Sequence, residues 1–231
     1  MMYVGSKRRL AKDIIPIINT FSKDKTFIDA CCGGCNIIAN PKHKIEATTK
    51  IAYDNNKYLI ALLNKFKHDK PNFADVTEEE YKAVKNNKNN YEDWYIGYVG
   101  FLASFGAGFF NGFARSKERN RTLGAYNGLS KQDFSDIEIK QQDLFDLQTI
   151  NAVIYIDPPY RNVKKYKTEF DYEKFWDKAQ ELAKDNIVLV SEQTLPQNIS
   201  YEILLEKSLK MTMNAVGTYK EKIEYLVKLC R

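Results

Sequence analysis

Apolar runs and amphipathic stretches alternate along the 231-residue chain and predict strands and helices in turn. Runs of β-branched or aromatic residues, such as 153–156, predict strands that are covered on both faces. Leucine and phenylalanine at helical spacing, as at Leu59, Leu62, Leu63 and Phe66, predict a helix with one apolar face. The predicted helices are 6–21, 34–39, 56–67, 91–105, 172–184 and one opening at Thr77, and the predicted strands are 26–31, 50–53, 137–141, 153–156, 187–190, 203–206 and 224–229.

This order of elements predicts an α/β fold in which a mostly parallel sheet lies between helices. The last two strands are expected to form an antiparallel hairpin that ends the sheet. With 231 residues the chain can bury a substantial core, and it is near the upper size of one compact domain.

The segment Asp157-Pro158-Pro159-Tyr160 follows the predicted strand at 153–156 directly. The prolines end the strand because they have no N–H to donate, so Asp157 is expected at a carboxyl end of the sheet, where ligands bind in open α/β folds. Asp157 and the Pro158 carbonyl would each accept one N–H of a planar exocyclic amine, and Tyr160 would stack on its ring. The alternative is an ordinary Pro-Pro turn in which Asp157 is solvated.

Residues 27–36 have the form of a strand that runs into a turn containing Gly33 and Gly34. Paired glycines let the backbone approach a ligand closely, and the segment resembles the loop that holds the methionine part of S-adenosylmethionine. About 20 residues later Asp54 ends another predicted strand, where α/β nucleotide sites place a carboxylate on ribose hydroxyls. An N-cap for the helix starting near Lys57 is the alternative role of Asp54, and the two roles are compatible.

Four motifs occur in a fixed order and together resemble the Dam-type family of DNA adenine-N6 methyltransferases. They are Tyr3-x-Gly5-x-Lys7, Phe27-x-Asp29-x-x-x-Gly33-Gly34, Asp54-Asn55 and Asp157-Pro158-Pro159-Tyr160. The resemblance implies a Rossmann-like methyltransferase sheet with helices on both faces. It further implies that 1–69 and 136–231 form the catalytic domain that binds S-adenosylmethionine, and that 70–135 is an inserted, mainly helical region for target recognition. The family's Pro-Phe pair after the first strand is absent here, and Tyr3 stands where the family has tryptophan.

The activity that the resemblance implies is methyl transfer from S-adenosylmethionine to N6 of adenine in double-stranded DNA, after the base has left the duplex. Asp157, Pro158, Pro159 and Tyr160 would form the catalytic loop. For Asp143, which resembles the group that binds the cofactor's adenine amine, a helix N-cap is the alternative. The implied cofactor contacts are Tyr3, Gly5, Lys7, Asp29, Cys32, Gly33, Gly34, Asp54, Asn55, Asp143, Leu144 and Asp157.

The net charge of +5 is mild, but the basic residues are unevenly distributed. Residues 113–131 hold five basic residues and one acid, and residues 161–167 hold four basic residues and no acid. Such runs suit phosphate contacts, although a solvated charge run is the alternative for each. In the glycine- and phenylalanine-rich segment 105–113, most phenylalanines are expected to pack at the base of a loop. The expected DNA contacts are Asn111, Arg115, Arg119, Arg121, Arg161, Lys164 and Lys165.

No metal site is expected, because Cys31, Cys32 and Cys35 crowd beside the glycines and the spacing of a zinc site is absent. These cysteines are expected to pack beside the cofactor loop. Neither a secretory leader nor a membrane span is predicted, so the cytoplasm of a bacterium or of a phage-infected cell is the expected setting. A monomer is compatible with the sequence, which leaves open the oligomeric state, the target sequence and any partner restriction enzyme.

Three alternatives to adenine methylation stay open. The closest is methylation of another planar amine: cytosine N4, an RNA base or a glutamine side chain. A DNA-binding module that has lost catalysis is the second, and the presence of Lys7, Asp54 and Asp157 argues against it. A nuclease is the third, and no carboxylate cluster with metal-ligand spacing supports it.

Overall fold

The structure of the chain, a computed structural model, describes residues 3, 5–115, 120–159, 170–212 and 219–230. Its α-helices are α1 (Ala11–Ser22), α2 (Lys57–His68), α3 (Glu78–Asn86), α4 (Asp93–Gly97), α5 (Arg121–Ser130) and α6 (Tyr172–Ala183). Its strands are β1 (Thr26–Asp29), β2 (Thr49–Asp54), β3 (Ile137–Gln141), β4 (Ala152–Ile156), β5 (Ile187–Glu192), β6 (Tyr201–Thr212) and β7 (Tyr219–Leu229).

The described strands form one seven-stranded sheet in the order β3-β2-β1-β4-β5-β7-β6. Strands β1 to β5 pair in parallel, and β7 pairs antiparallel with both β5 and β6. The predicted hairpin is therefore present, although β7 inserts between β5 and β6. The chain runs outward from β1 through β2 to β3 and then crosses back to β4 on the other side of β1, so the direction of winding reverses between β1 and β4. Such a switch point creates a crevice at the carboxyl ends of the strands.

Side chains of the central strands point alternately to two cores. Phe27, Val153 and Tyr155 face a core shared with α1 and α2, whereas Ile28 and Ile154 face a core shared with α6. Both faces of the sheet are thus covered, which explains why these strands are apolar without interruption. The predicted class is confirmed: the chain forms a Rossmann-like α/β sheet with helices on both faces.

Residues 70–135 pack onto the α2 side of the sheet and share its core. They carry α3, α4 and α5, and a π-helical turn at Tyr98–Leu102 continues α4. A β-carbon on Gly97 would lie 2.2 Å from the carbonyl oxygen of Tyr58, so only glycine allows α4 to approach α2 this closely. The buried side chains of Tyr81 and Phe101 join the core that contains Leu62. The insertion therefore has no separate core within the described structure.

The predicted helix at 34–39 is wrong, because residues 33–39 form consecutive turns. Gly33 and Cys35 both have left-handed backbone conformations, with φ of 47° and 52°, and these interrupt a right-handed helix. The predicted helix 6–21 is divided into a 3-10 turn at Lys7–Arg9 and α1. The other predicted helices and strands are present with ends shifted by a few residues, except that 91–105 is only partly α-helical.

Candidate functional site

Three carboxylates lie at the carboxyl edge of three neighbouring strands. Asp29 ends β1, Asp54 ends β2, and Asp157 directly follows β4. Because β1 lies between β2 and β4, the sheet brings these acids together at its switch point. Three of the residues predicted to contact the cofactor therefore lie at one edge of the sheet.

The N-terminal motif places a lysine on Asp157. Gly5 has a φ of 77°, and the turn that it permits lets the Lys7 ammonium donate to the Gly5 carbonyl at 3.2 Å and to Oδ1 of Asp157. The ammonium also lies 3.4 Å from Oε1 of Glu224 on β7. The side chains of Lys7 and Glu224 are each only 3% exposed, and that of Asp157 is 19% exposed. A buried ammonium therefore lies between two carboxylates, one of which sequence reasoning did not identify.

The glycine turn is closed by contacts on both sides. The backbone N–H of Gly33 donates to Oδ2 of Asp54 at 3.1 Å, and that of Cys32 donates to the Tyr53 carbonyl at 2.8 Å. On the other side, a β-carbon on Gly33 would lie 2.6 Å from Cε1 of Tyr3. Glycine is therefore required at 33 both by its left-handed conformation and by the ring that covers it.

Asp54, Asn55 and Asp143 meet at the neighbouring ends of β2 and β3. Oδ1 of Asp54 accepts the backbone N–H of Asn56 at 2.9 Å, and Asn56 itself caps α2. The alternative role of Asp54 as the N-cap is thus wrong. For Asp143 the N-cap role is present, since its Oδ1 accepts the backbone N–H of Phe145 at 2.9 Å. The other carboxylate oxygen of Asp143, Oδ2, lies 3.5 Å from Nδ2 of Asn55.

Carboxyl groups are concentrated in the buried part of this edge. Burial raises the pKa of Asp29 well above its ordinary value, and the charges of Asp157 and Asp54 raise it further. Burial also raises the pKa of Asp54, against backbone hydrogen bonds that lower it. Oδ1 of Asp29 is buried and has no hydrogen-bond partner among the described residues. The site is therefore suited to receive a positively charged group with N–H donors.

The segment after Asp157 is held from α6. Pro158 is buried, and the Pro159 carbonyl accepts a hydrogen bond from the hydroxyl of Tyr172, the first residue of α6. No described residue donates a hydrogen bond to the Pro158 carbonyl. Tyr160 lies outside the described residues.

The predicted cofactor residues differ in accessibility. Gly33, Gly34 and Cys32 are buried in the turn, and Leu144 is a core residue with 6% exposure. Asn55 is exposed at the edge of the site. A side-chain contact of Leu144 with a ligand therefore has no support in the fold.

The predicted DNA contacts are only partly within the described residues. Asn111 and Arg121 are exposed, and Arg115 is exposed but forms two hydrogen bonds with the carboxylate of Glu78, one of them 2.7 Å long. The remaining predicted contacts, Arg119, Arg161, Lys164 and Lys165, lie outside the described residues.

The phenylalanines of 105–113 divide into packed and exposed side chains. Phe109 stacks on Tyr58 with 5.3 Å between ring centroids, and Phe110 is 8% exposed. Phe105 is 57% exposed. The expectation that most of these rings pack at the base of the loop is therefore met.

The three clustered cysteines lie at the glycine turn, away from any metal-ligand cluster in the described part of the chain. That part contains no group of three or more metal-ligating side chains, and none of its helices is long and apolar enough to cross a membrane. Cys32 and Cys35 are buried beside the glycine turn, Cys31 is half-buried, and Cys230 is exposed. The packing role expected for the first three cysteines is consistent with this placement.

Residues 3–99 match the model of a protein family, the D12 class N6 adenine-specific DNA methyltransferases. This match confirms the expected family resemblance over a range that includes Lys7, Gly33 and Asp54, and it ends before Asp157. No curated protein matches the sequence.

Three solved structures are similar to the chain at low sequence identity. The rRNA methyltransferase aviRa from Streptomyces viridochromogenes is 14% identical, with 96% of this chain and 84% of that chain covered and a TM-score of 0.44. The Thermoplasma acidophilum protein 1320 is 10% identical, with 97% and 89% covered and a TM-score of 0.45. The precorrin-6y C5,15-methyltransferase from Geobacter metallireducens GS-15 is 6% identical, with 96% and 87% covered and a TM-score of 0.37.

Proposed function

We propose that this chain, whose residues 3–99 match the D12 class N6 adenine-specific DNA methyltransferases, methylates N6 of adenine in double-stranded DNA with S-adenosylmethionine. The observation that carries the proposal is the Asp157 carboxylate at the carboxyl end of β4, held by buried Lys7 beside the glycine turn. The family match supplies the methyltransferase class, and the chemistry of Asp157 and Pro158 supports an amine as the acceptor.

The residues around the glycine turn fit S-adenosylmethionine. When bound, this cofactor supplies a methyl group on a positively charged sulfur. Asp29 has a buried oxygen without a partner among the described residues, and the ammonium of the cofactor's methionine part would provide the missing donor. Asp54 and Asn55 lie at the end of the next strand, where ribose hydroxyls are bound in α/β folds.

Asp157 would bind the acceptor amine through one of its N–H groups. An exocyclic amine of a base is a poor nucleophile because its lone pair is delocalised into the ring, and it gains positive charge as a new bond to carbon forms. A fixed carboxylate stabilises that charge without reorganising. The Pro158 carbonyl would accept the second N–H, since no described residue donates to it.

Lys7 has a distinct task in this arrangement. Its ammonium fixes one oxygen of Asp157, so the carboxylate presents a defined orientation to the amine. Positioning of two reactants in this way contributes roughly 7–11 kcal/mol to barrier lowering in favourable cases. Tyr160 would stack on the target base, and the adenine would have to leave the duplex to reach this depth, which costs a few kcal/mol.

DNA would be held from the side of the insertion and from the segment after Pro159. The basic residues proposed for this purpose are Arg115, Arg119, Arg121, Arg161, Lys164 and Lys165, with Asn111 beside them. Arg115 is already paired with Glu78. We propose that Arg115 binds phosphate while it stays in this pair, and that the negative charge of Glu78 weakens the attraction between Arg115 and phosphate.

The product of the reaction tests this proposal. Purified chain and methyl-labelled S-adenosylmethionine are incubated with mixed-sequence duplex DNA, single-stranded DNA and RNA, and the digested nucleosides are identified by mass spectrometry. We expect labelled N6-methyldeoxyadenosine from duplex DNA. Labelled N4-methyldeoxycytidine, or label found only in RNA, would show that the chain is a methyltransferase but would overturn adenine in duplex DNA as its substrate. Absence of label from every nucleic acid would overturn the proposed function.

A further inference from the structure

A buried acid on the last strand contacts the lysine that holds Asp157. Oε1 of Glu224 lies 3.4 Å from Nζ of Lys7, and both side chains are 3% exposed. In the sheet, β5 separates β4 from β7. Lys7 therefore connects acids from two strands that are not neighbours.

The direction of Glu224 follows from strand alternation. Glu224 and Leu226 are two residues apart on β7, so they share a face of the sheet. Leu226 belongs to the core that includes Ile14 of α1, and Lys7 lies in the turn just before α1. The fold thus points Glu224 at the N-terminal motif.

Glu224 is itself held in place. Nε2 of Gln193 lies 3.4 Å from its Oε2, and Nζ of Lys222 donates to Oε1 of the same Gln193 at 3.2 Å. A carboxylate with one oxygen towards Gln193 and the other towards Lys7 has little freedom to turn away. Its charge would therefore act at a fixed distance from the ammonium.

Two carboxylates around one buried ammonium have consequences for Asp157. If Asp157 were the only anion near Lys7, the ammonium would be drawn wholly towards it and would compete with an acceptor amine for the carboxylate. A second carboxylate at 3.4 Å draws the ammonium the other way and so weakens its hold on Asp157. An Asp157 carboxylate that Lys7 holds less tightly is better able to stabilise the positive charge that develops on an attacking amine.

We propose that Glu224 is a positioning residue for methyl transfer, which acts through Lys7 to set the place and strength of the Lys7 contact with Asp157. This inference rests on the proposed function. Glu224 is not expected to touch either substrate, so its loss should slow the chemical step while it leaves substrate affinities nearly unchanged.

The test is a double-mutant cycle on the full chain with Glu224→Gln, Lys7→Met and the double variant. Single-turnover methylation of duplex DNA is measured at saturating S-adenosylmethionine, and cofactor affinity is measured by calorimetry. We expect Glu224→Gln to slow the single-turnover rate by about 10- to 100-fold, with a change in cofactor affinity below about threefold. Because residues that act as a unit are non-additive, the double variant should be no slower than Lys7→Met alone.

Two further variants keep the test sharp. Glu202→Gln removes an exposed carboxylate from β6 of the same hairpin and should leave the rate unchanged. If Glu224→Gln does not fold, Gln193→Leu tests the same contacts, because Gln193 holds Glu224. Gln193→Leu should slow methylation several-fold when it is made in the wild type, and should have no further effect when it is combined with Lys7→Met.

The outcomes separate the two proposals. An active wild type with a Glu224→Gln rate within twofold of it, or a Glu224→Gln effect that persists in full beside Lys7→Met, would overturn the positioning role alone. A wild type that methylates no nucleic acid would overturn the proposed function and the role of Glu224 with it.

Discussion

Single residues at the carboxyl edge of the sheet divide into those that carry charge and those that shape the space around it. Lys7 is a buried cation close to Asp157 and Glu224, and Asp29 lies near enough for its pKa to respond to Asp157 and Lys7. Several carboxyl groups thus lie close together in a region with little water. Ionisation of such a cluster is unfavourable in the free chain and becomes favourable when a cation binds.

Gly33 shapes this space, and its substitution gives the first prediction. Gly33→Ala should weaken binding of S-adenosylmethionine by at least tenfold and lower the free energy of unfolding by about 1–3 kcal/mol, because alanine is strained at a φ of 47° and its methyl group would displace the Tyr3 ring. Calorimetric titration and urea unfolding measure the two effects.

Gly124→Ala is the matched control. A β-carbon there meets nothing within 4 Å, and the residue lies inside α5, so alanine should leave cofactor affinity unchanged and stabilise the chain by about 0.5–1 kcal/mol. Equal cofactor affinity in the two variants would contradict the role given to the glycine turn.

Glu192, the last residue of β5, gives a prediction about pH. It is 3% exposed, and burial, with smaller effects of Asp157 and Glu224, raises its pKa to about 7 from 4.5. Between these values the folded chain binds more protons than the unfolded chain, so the free energy of unfolding falls as pH rises from about 4.5 to 7. The fall attributable to Glu192 is about 3 kcal/mol.

Glu192→Gln cannot ionise and should lack this fall, whereas Glu202→Gln on the exposed side of β6 should keep it. Urea unfolding of the three proteins across the pH interval measures the difference. A Glu192→Gln profile parallel to that of the wild type would show that the carboxyl is not protonated in the folded chain.

Among the elements, the segment 104–113 depends on α3 for its shape. The hydroxyl of Tyr81 lies 2.9 Å from Oγ of Ser104 and accepts the N–H of Gly112 at 3.1 Å. Tyr81 itself is 3% exposed. One side chain from α3 thus joins both ends of the loop that presents Phe105 and Asn111.

Tyr81→Phe should therefore lower the free energy of unfolding by about 1–3 kcal/mol, because it leaves the Gly112 N–H without its partner. If this loop binds DNA, duplex affinity should fall while affinity for S-adenosylmethionine stays constant. Tyr126→Phe removes one hydrogen bond, to the Pro71 carbonyl, elsewhere in the insertion. It should cost similar stability without loss of DNA affinity, so equal DNA affinities in the two variants would contradict the role of the loop.

The elements also show where sequence patterns are sufficient and where they are not. Helix α2 was predictable because Leu59, Leu62 and Phe66 repeat at helical spacing and Asn56 caps them. The segment 34–39 was not, because its apolar residues also suit a buried turn and the left-handed conformation of Cys35 has no signature in its side chain. The π-helical turn after α4 depends on close packing against α2, which local sequence does not reveal.

Across the whole molecule, the strand order explains how distant motifs meet. Parallel pairing of β2, β1 and β4 follows from alternating helices and strands, so the association of Asp29, Asp54 and Asp157 could be predicted from the sequence. Glu224 could not, because it reaches Lys7 only after β7 has inserted antiparallel beside β5. An acid within an amphipathic strand gives no local sign of such a contact.

The central claim is that Asp157 binds the acceptor amine, and the single-turnover rate of Asp157→Ala tests it most directly. With labelled S-adenosylmethionine at saturation and duplex DNA, we expect the rate to fall by about 100- to 1,000-fold or more, while the fold is largely kept. Asp185→Ala, an exposed acid at the opposite edge of the sheet, is the matched control and should retain the wild-type rate. An Asp157→Ala rate equal to that of this control would contradict the account.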